Sequence, residues 1–312
     1  MALSGANGFV GRAMLGRLIQ ENRSVTAFVR EGGAQQLGGI DVAVASLVDR
    51  ASWSDVLRQC SVFVHCAGQA HLIKGPRRDA LLEFRKVNTD LTLALAKSAA
   101  AAGVKRFVFV SSIGVNGLTS GEEPFGPEAV PNPQTPYAIS KYEAEQGLHA
   151  ISQETGLEVV VVRPPLVYGA GAPGNFRTLV TMLRRRLPLP LGAVTMNRRS
   201  YVALSNLVDL LMTVCDHPAA ANQVFLVSDD EDLSTVDLLC RLGATMGLPP
   251  RLLPVPLGVL ALGAKLLGKP EMFRSLCGSL QVDTSKTRKL LGWRPPIGVD
   301  EGLKQAVGGQ RC

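Results

Sequence analysis

Tyr137 and Lys141 stand four residues apart in Thr135-Pro136-Tyr137-Ala138-Ile139-Ser140-Lys141, a spacing that brings two side chains to one face of a helix. A phenol with a reference pKa of about 10 is a poor base at neutral pH. A neighbouring ammonium stabilises the phenolate and lowers that pKa, so the oxygen can exchange a proton with a carbonyl or a carbinol. Thr135 supplies a helix N-cap and Pro136 a first-turn residue, so a helix is predicted to open at this motif. The spacing alone is common by chance; its place between the fifth and sixth predicted strands makes it specific.

The other chemically telling stretch is Ser4-Gly5-Ala6-Asn7-Gly8-Phe9-Val10-Gly11, a G-x-x-G-x-x-G run between the first predicted strand and the first predicted helix. Glycines permit the tight turn and let backbone N–H groups at a helix N-terminus approach a pyrophosphate. The run therefore predicts a dinucleotide cradle of Gly5, Asn7, Gly8, Phe9, Val10 and Gly11. The second strand ends Ala27-Phe28-Val29-Arg30-Glu31. A carboxylate at that tip would accept from the ribose hydroxyls of NAD. Val29 cannot do so, whereas Arg30 can pair with a 2′-phosphate. NADP is favoured, and Glu31 keeps NAD open.

These motifs need a scaffold of alternating strands and helices. Strand patterns occur at Ala2–Ser4, Val25–Val29, Val42–Ala45, Val62–Cys66, Phe107–Val110 and Val159–Val162, with helical patterns at Val10–Gln20, Leu81–Ala102 and Tyr137–Glu154. Nearly continuous apolar strands between helices predict an α/β, Rossmann-type, doubly wound parallel sheet covered on both faces. A glycine-rich break at Gly169–Gly174 divides a dinucleotide-binding lobe, 1–168, from a smaller and mainly substrate-binding lobe, 169–312. That second lobe carries short strands at Tyr201–Leu204 and Val224–Val227, and a segment around 200–218 is expected to return to the first lobe.

Composition narrows the field. The chain is 46% hydrophobic and 19% charged, so a sizeable core is expected. The net charge of +7 is spread along the chain, and its densest run, Arg184-Arg185-Arg186, reads as a solvated helix end. No nucleic-acid partner is expected. The six cysteines include no CxxC pair, and the four histidines are scattered, so no metal is expected either. The N-terminus lacks a charged stretch followed by an apolar one, and a reducing cytoplasm fits. The apolar run Leu252–Leu267 contains Pro254, Pro256 and Lys265 and is too short to span a bilayer. It predicts a buried or interface helix over Leu257–Leu267 in preference to peripheral membrane contact.

Together the motifs resemble the extended short-chain dehydrogenase/reductase family, also called the NAD-dependent epimerase/dehydratase family, over nearly the whole chain. The resemblance implies that Asp49 lies in the adenine-contacting turn, and that Ala67 and Gly68 at the fourth-strand exit and Pro164 at the sixth lie beside the cofactor. It assigns to Ser112, with Ser111 as a near rival, a hydrogen bond to the reacting sugar oxygen. Asn88 and His65 take structural places. Dehydratases of the family carry an acidic pair directly after the serine, where this chain has Ile113 and Gly114, so a 4,6-dehydratase is not expected. On the substrate side Asn175 and Arg199 match residues around a sugar-nucleotide diphosphate; Arg198 could exchange roles with Arg199, and Arg274 is a further phosphate candidate. Leu187–Gly192, Phe225–Asp229 and Leu291-Gly292-Trp293 look most like bacterial 4-reductases of UDP-linked 4-keto-6-deoxy-N-acetylhexosamines in O-antigen synthesis. The implied activity is reduction of a C4 ketone by NAD(P)H, with Tyr137, Lys141 and Ser112 catalytic. A UDP-hexose or UDP-N-acetylhexosamine 4-epimerase with tightly held NAD is the alternative, and a non-catalytic dinucleotide sensor is the alternative of another class. A homodimer is compatible with this reading.

Overall fold

The computed structural model describes residues 1–30, 37, 42–70 and 77–308. Its strands are β1 (Ala2–Ser4), β2 (Thr26–Val29), β3 (Ala43–Ser46), β4 (Val62–His65), β5 (Arg106–Val110), β6 (Glu158–Arg163), β7 (Leu166–Tyr168), β8 (Arg199–Ala203), β9 (Val224–Leu226) and β10 (Asp232–Leu233). Seven of them form one parallel sheet in the order β3-β2-β1-β4-β5-β6-β9, and three form a small sheet, β10-β8-β7. The expected strands agree with these to within a residue or two.

The apolar runs are continuous because alternate residues of each strand enter different layers. Leu3, Val64, Val108 and Val160 pack on one face with Met14, Leu15 and Leu18 of α1 (Phe9–Gln20). Their chain neighbours Ala2, Phe63, Phe107 and Val159 pack on the other. That second face is covered by α2 (Trp53–Leu57) and, further along the chain beyond α3 (Arg77–Phe84), by α4 (Leu91–Ala101) and α5 (Pro136–Thr155). Phe63 and Phe107 stack within this layer, ring centroids 5.0 Å apart.

The helix expected over Leu81–Ala102 is not uniform. A π-helical turn, Arg85–Asp90, separates α3 from α4. An extra residue in one turn lets two neighbouring polar side chains face the same way: Asn88 and Thr89, both buried, turn toward α5 and bond Ser140.

Beyond β6 the chain builds the smaller layer. Helix α6 (Gly174–Arg184) lies on the small sheet, and β8 then runs directly into α7 (Leu204–Asp216), which packs against α1. The return to the large sheet continues through β9, beside β6. Helix α8 (Thr235–Thr245) covers the small sheet again, followed by α9 (Leu257–Leu266), α10 (Pro270–Cys277), α11 (Ser285–Leu291) and α12 (Val299–Gly308). A buried clamp ties the two sheets: Asp229 accepts from Tyr168 Oη at 2.6 Å, from the Ala203 amide at 2.9 Å and from Asn206 Nδ2 at 2.7 Å. Of the expected buried or interface helix, α9 excludes the buried form. It forms almost where predicted, yet only Ala264 in it is buried, because it packs chiefly on α10 and lies outside the core.

Candidate active site

The order of the large sheet reverses direction between β1 and β4, and the carboxyl end of such a switch point is a natural crevice. Gly5, Ala67, Ser111 and Pro164 follow β1, β4, β5 and β6 within two residues, so parallel pairing alone gathers four candidate segments along one edge.

At β1 the glycine run turns tightly. Gly5 has φ +76°, and a Cβ there would lie 2.6 Å from the Ala67 backbone nitrogen; a Cβ on Gly11 would lie 2.1 Å from the Gly5 carbonyl oxygen. Both positions therefore exclude any side chain. Gly8 is the N-cap of α1 and contributes no side-chain cap, which leaves the first-turn N–H groups to donate to an anion. Asn7, Phe9 and Val10 lie at this same turn. Arg30 follows β2 and is exposed, while Glu31 lies outside the described residues. The Asp49 side chain accepts from the Ala51 amide at 3.2 Å and so caps its own turn. The Pro164 carbonyl accepts from the Ile113 amide at 3.0 Å, joining the exits of β5 and β6.

Helix α5 opens as its sequence predicts, with Thr135 accepting from the Ala138 amide and proline in the first turn. Tyr137 lies edge-on to Phe84, ring centroids 5.9 Å apart, and the Ser112 hydroxyl favours its phenolate. Ser112 is oriented by the Gly114 amide, which donates to its Oγ at 3.1 Å. Ser111 instead donates to Glu145 at 2.5 Å and is buried, so of the two serines Ser112 is the one that meets Tyr137.

Lys141 behaves otherwise than its spacing implies. Its ammonium donates to the Val110 carbonyl at 3.0 Å and sits 4.6 Å over the Phe109 ring. A Cβ on Gly68 would lie 3.1 Å from its Nζ. Lys141 thus faces the β4 exit, and its cation does not lower the phenol. Burial pushes Tyr137 up to about 12, opposed by the Ser112 hydrogen bond. Burial also brings Lys141 down to about 8, against the attraction of Cys66 and Glu145. With one proton of the ammonium on Val110, the others can serve a ligand entering beside Gly68. Asn88 braces this corner, accepting from the Gln69 amide at 2.8 Å and donating to its carbonyl at 3.0 Å. His65 is held between Ser4 Oγ at 2.6 Å and Thr92 Oγ1 at 2.8 Å. Burial and then the Lys141 cation hold it neutral, with a pKa of about 3.

Sequence reasoning missed the network behind these groups. Glu145, one turn beyond Lys141, pairs with Arg163 through Nη2–Oε2 at 2.5 Å and Nε–Oε1 at 3.0 Å. Arg163 also donates to Asn116 Oδ1 at 3.0 Å. All three are buried. Two signals in the sequence pointed here: Glu145 continues the Tyr137/Lys141 face at i+8, and Arg163 ends an otherwise apolar strand.

The substrate-side candidates meet at α10. Asn175 Nδ2 donates to Ser275 Oγ at 2.9 Å, Arg199 Nη1 donates to the Gly278 carbonyl at 2.8 Å, and Arg274 is exposed on the last turn of α10. Arg199 is buried, and burial lowers its pKa. Arg198 is exposed and turns back on the Thr195 and Asn197 carbonyls. Adjacent extended residues point oppositely, so the expected exchange of roles between the two arginines would need a flip of the strand.

This arrangement has parallels among known proteins. The chain is 40% identical over 306 residues to UDP-glucose 4-epimerase of Vibrio cholerae, covering 98% of this chain and 93% of that one. The fold matches UDP-glucose 4-epimerase of Thermotoga maritima, solved with UDP-glucose, at a TM-score of 0.78 and 22% identity over 99% of this chain and 97% of that one. It also matches UDP-glucuronic acid 4-epimerase of Bacillus cereus, solved with NAD, at a TM-score of 0.77 and 18% identity over 99% and 95% of the respective chains. Residues 1–228 match the model of the NAD dependent epimerase/dehydratase family, and with the glycine cradle at the switch point and the Tyr137–Ser112 pair beside it, the chain belongs to that family.

Proposed function

We propose that this chain is a UDP-sugar 4-epimerase that retains NAD(H) and inverts the C4 carbinol of a UDP-hexose or UDP-N-acetylhexosamine. The observation that carries the choice is the end-to-end similarity to the Vibrio cholerae UDP-glucose 4-epimerase. The geometry is compatible: one proton-transferring hydroxyl, paired with Ser112, is what a reversible oxidation at a single carbon requires. A bound nicotinamide dinucleotide would supply hydride acceptance and return at C4. In this reading Gly5, Asn7, Gly8, Phe9, Val10 and Gly11 hold its pyrophosphate end, Asp49 its adenine side, and Ala67, Gly68, Lys141 and Pro164 its nicotinamide half. The tight backbone turn at Gly5 and Gly11 and the uncapped N-terminus of α1 at Gly8 fit such a group.

Ser112 holds the sugar O4 against Tyr137, which takes the carbinol proton and returns it to the same oxygen. Lys141 is largely cationic at neutral pH and provides the positive charge that a phenolate needs once both ligands fill the crevice. Asn175, Arg199 and Arg274 hold the diphosphate from the α10 side, where a planar guanidinium suits a phosphate.

One observation favours a second reading. Arg30, where NAD-binding strands end in an acid, supports NADP and with it reduction of a UDP-linked 4-keto-6-deoxy-N-acetylhexosamine for surface-polysaccharide synthesis. The deciding experiment supplies C4-deuterated reduced cofactor. The epimerase interconverts UDP-glucose with UDP-galactose, or their N-acetylated analogues, without consuming added cofactor. Stoichiometric deuterium at C4 of a reduced keto-sugar, with neither epimer pair interconverted, would overturn it in favour of the reductase. In that case Arg30→Ala should weaken NADPH more than NADH.

A further inference from the structure

Helix α9 and its flanks leave an unusual surface. Leu253, Val259, Leu262, Leu266, Leu267 and Met272 are all large apolar side chains between 44% and 79% exposed. A concentration of exposed apolar side chains of this kind marks an interaction site. On the same segment stand Arg251, Lys265 and Lys269, and Arg184, Arg185 and Arg186 come just before Leu189 in the chain, every one exposed. None of the six enters an ion pair among the described residues. The basic run is brought alongside by backbone pairing: the Leu189 amide donates to the Arg251 carbonyl at 2.8 Å and the Leu253 amide to the Leu189 carbonyl at 2.8 Å. From 251 to 274 the sole carboxylate is Glu271, and from 170 to 200 there is none.

We propose that this face docks the enzyme on an anionic phospholipid surface, the α9 leucines entering the headgroup–acyl boundary and the cations meeting lipid phosphates. Apolar side chains rimmed by unpaired lysine and arginine are the complement of such a surface. A second copy of the chain suits the face less well, because a two-fold contact would set the same cations against one another. The helix lies on the bilayer and does not cross it. Ten residues reach only about 15 Å, and no helix among the described residues is long and apolar enough to span. Docking there has a consequence for the site, since α10 packs on α9 and also meets Asn175 and Arg199. The substrate end of the crevice would thus be held near the membrane plane.

The test is flotation of the full chain with vesicles of phosphatidylcholine and phosphatidylglycerol, against vesicles of phosphatidylcholine alone. The protein should float with the anionic vesicles, less with the neutral ones, and less again as salt rises. Leu262→Asp combined with Leu266→Asp should cut the bound fraction by about tenfold or more without moving the melting temperature, because both residues are exposed. Failure of the unmodified chain to float, or equal flotation of the double variant, overturns the proposal. A chain that stays in solution as a dimer, and that the same double variant turns into a monomer, overturns it in favour of self-association.

Discussion

Replacing Glu145 by glutamine keeps the size of the side chain and removes its charge, which tests what the buried network contributes. Arg163 then stays buried with Asn116 as its charge-neutral partner, and Ser111 loses an anionic acceptor. Breaking a buried pair from one side costs about 3–5 kcal/mol, because the remaining charge is left uncompensated. That is a large part of a typical stability of about 5–15 kcal/mol, and for a chain of this size it corresponds to a fall of roughly 5–8 °C in melting temperature. Scanning fluorimetry reads it directly. The reasoning makes a sharper demand on the double variant Glu145→Gln/Arg163→Met. Removing the second charge relieves the desolvated guanidinium, so the double variant should melt above the single one. Turnover should fall in Glu145→Gln as well, since Glu145 holds Ser111, the chain neighbour of Ser112, and lies one turn from Lys141. A fall under about 2 °C in the single variant, or a double variant that melts lower still, would refute this account of the buried charge.

Tyr137→Phe should keep both ligands, as judged by calorimetry, while turnover drops by about 10²–10⁴, the range for a lost positioned acid–base; full activity would remove Tyr137 from the chemistry. Arg199→Ala should raise KM for a UDP-sugar, as loss of a charge-assisted hydrogen bond is worth roughly 1.5–3 kcal/mol; unchanged UDP affinity would leave Arg199 as a brace of the α10 end alone. His65, whose pKa falls to about 3 in the folded chain, contributes stability that is complete above about pH 6.5 and declines as pH drops toward 3. Stability of the unmodified protein should therefore fall more steeply between pH 6.5 and pH 4.5 than that of His65→Asn, by about one proton's worth or about 1.4 kcal/mol per pH unit. Equal slopes would show that His65 titrates freely.

Much of the site was legible because local rules fix it. Gly5 and Gly11 are dictated by backbone approach, Thr135 and Pro136 by helix capping, and the Tyr137/Lys141 face by helical period. What escaped depends on contacts between distant segments. Glu145 four residues after Lys141 reads like an exposed helical carboxylate until β6 brings Arg163 to it. The π-turn at Arg85–Asp90 leaves no periodic trace, since it is selected by the partners of Asn88 and Thr89. That Lys141 bonds Val110 in place of the phenol could not be read from an i, i+4 spacing, which sets the face and not the rotamer. Helix α9 has the composition of a core element, and only its position outside the packed layers shows that it is not one.

The direct passage from β8 into α7, with Asp229 gripping Tyr168, Ala203 and Asn206, has a mechanical consequence. A hinge needs a few residues free to absorb large φ/ψ changes, and here the last residue of the strand is followed at once by the first of the helix. The chain crosses between its two sheets again after β9, before β10. Two bodies stitched together at several points cannot open like a book; relative motion is confined to small sliding of packed layers and to the loops at the crevice mouth. Ligand traffic then depends on the pliancy of those surface segments.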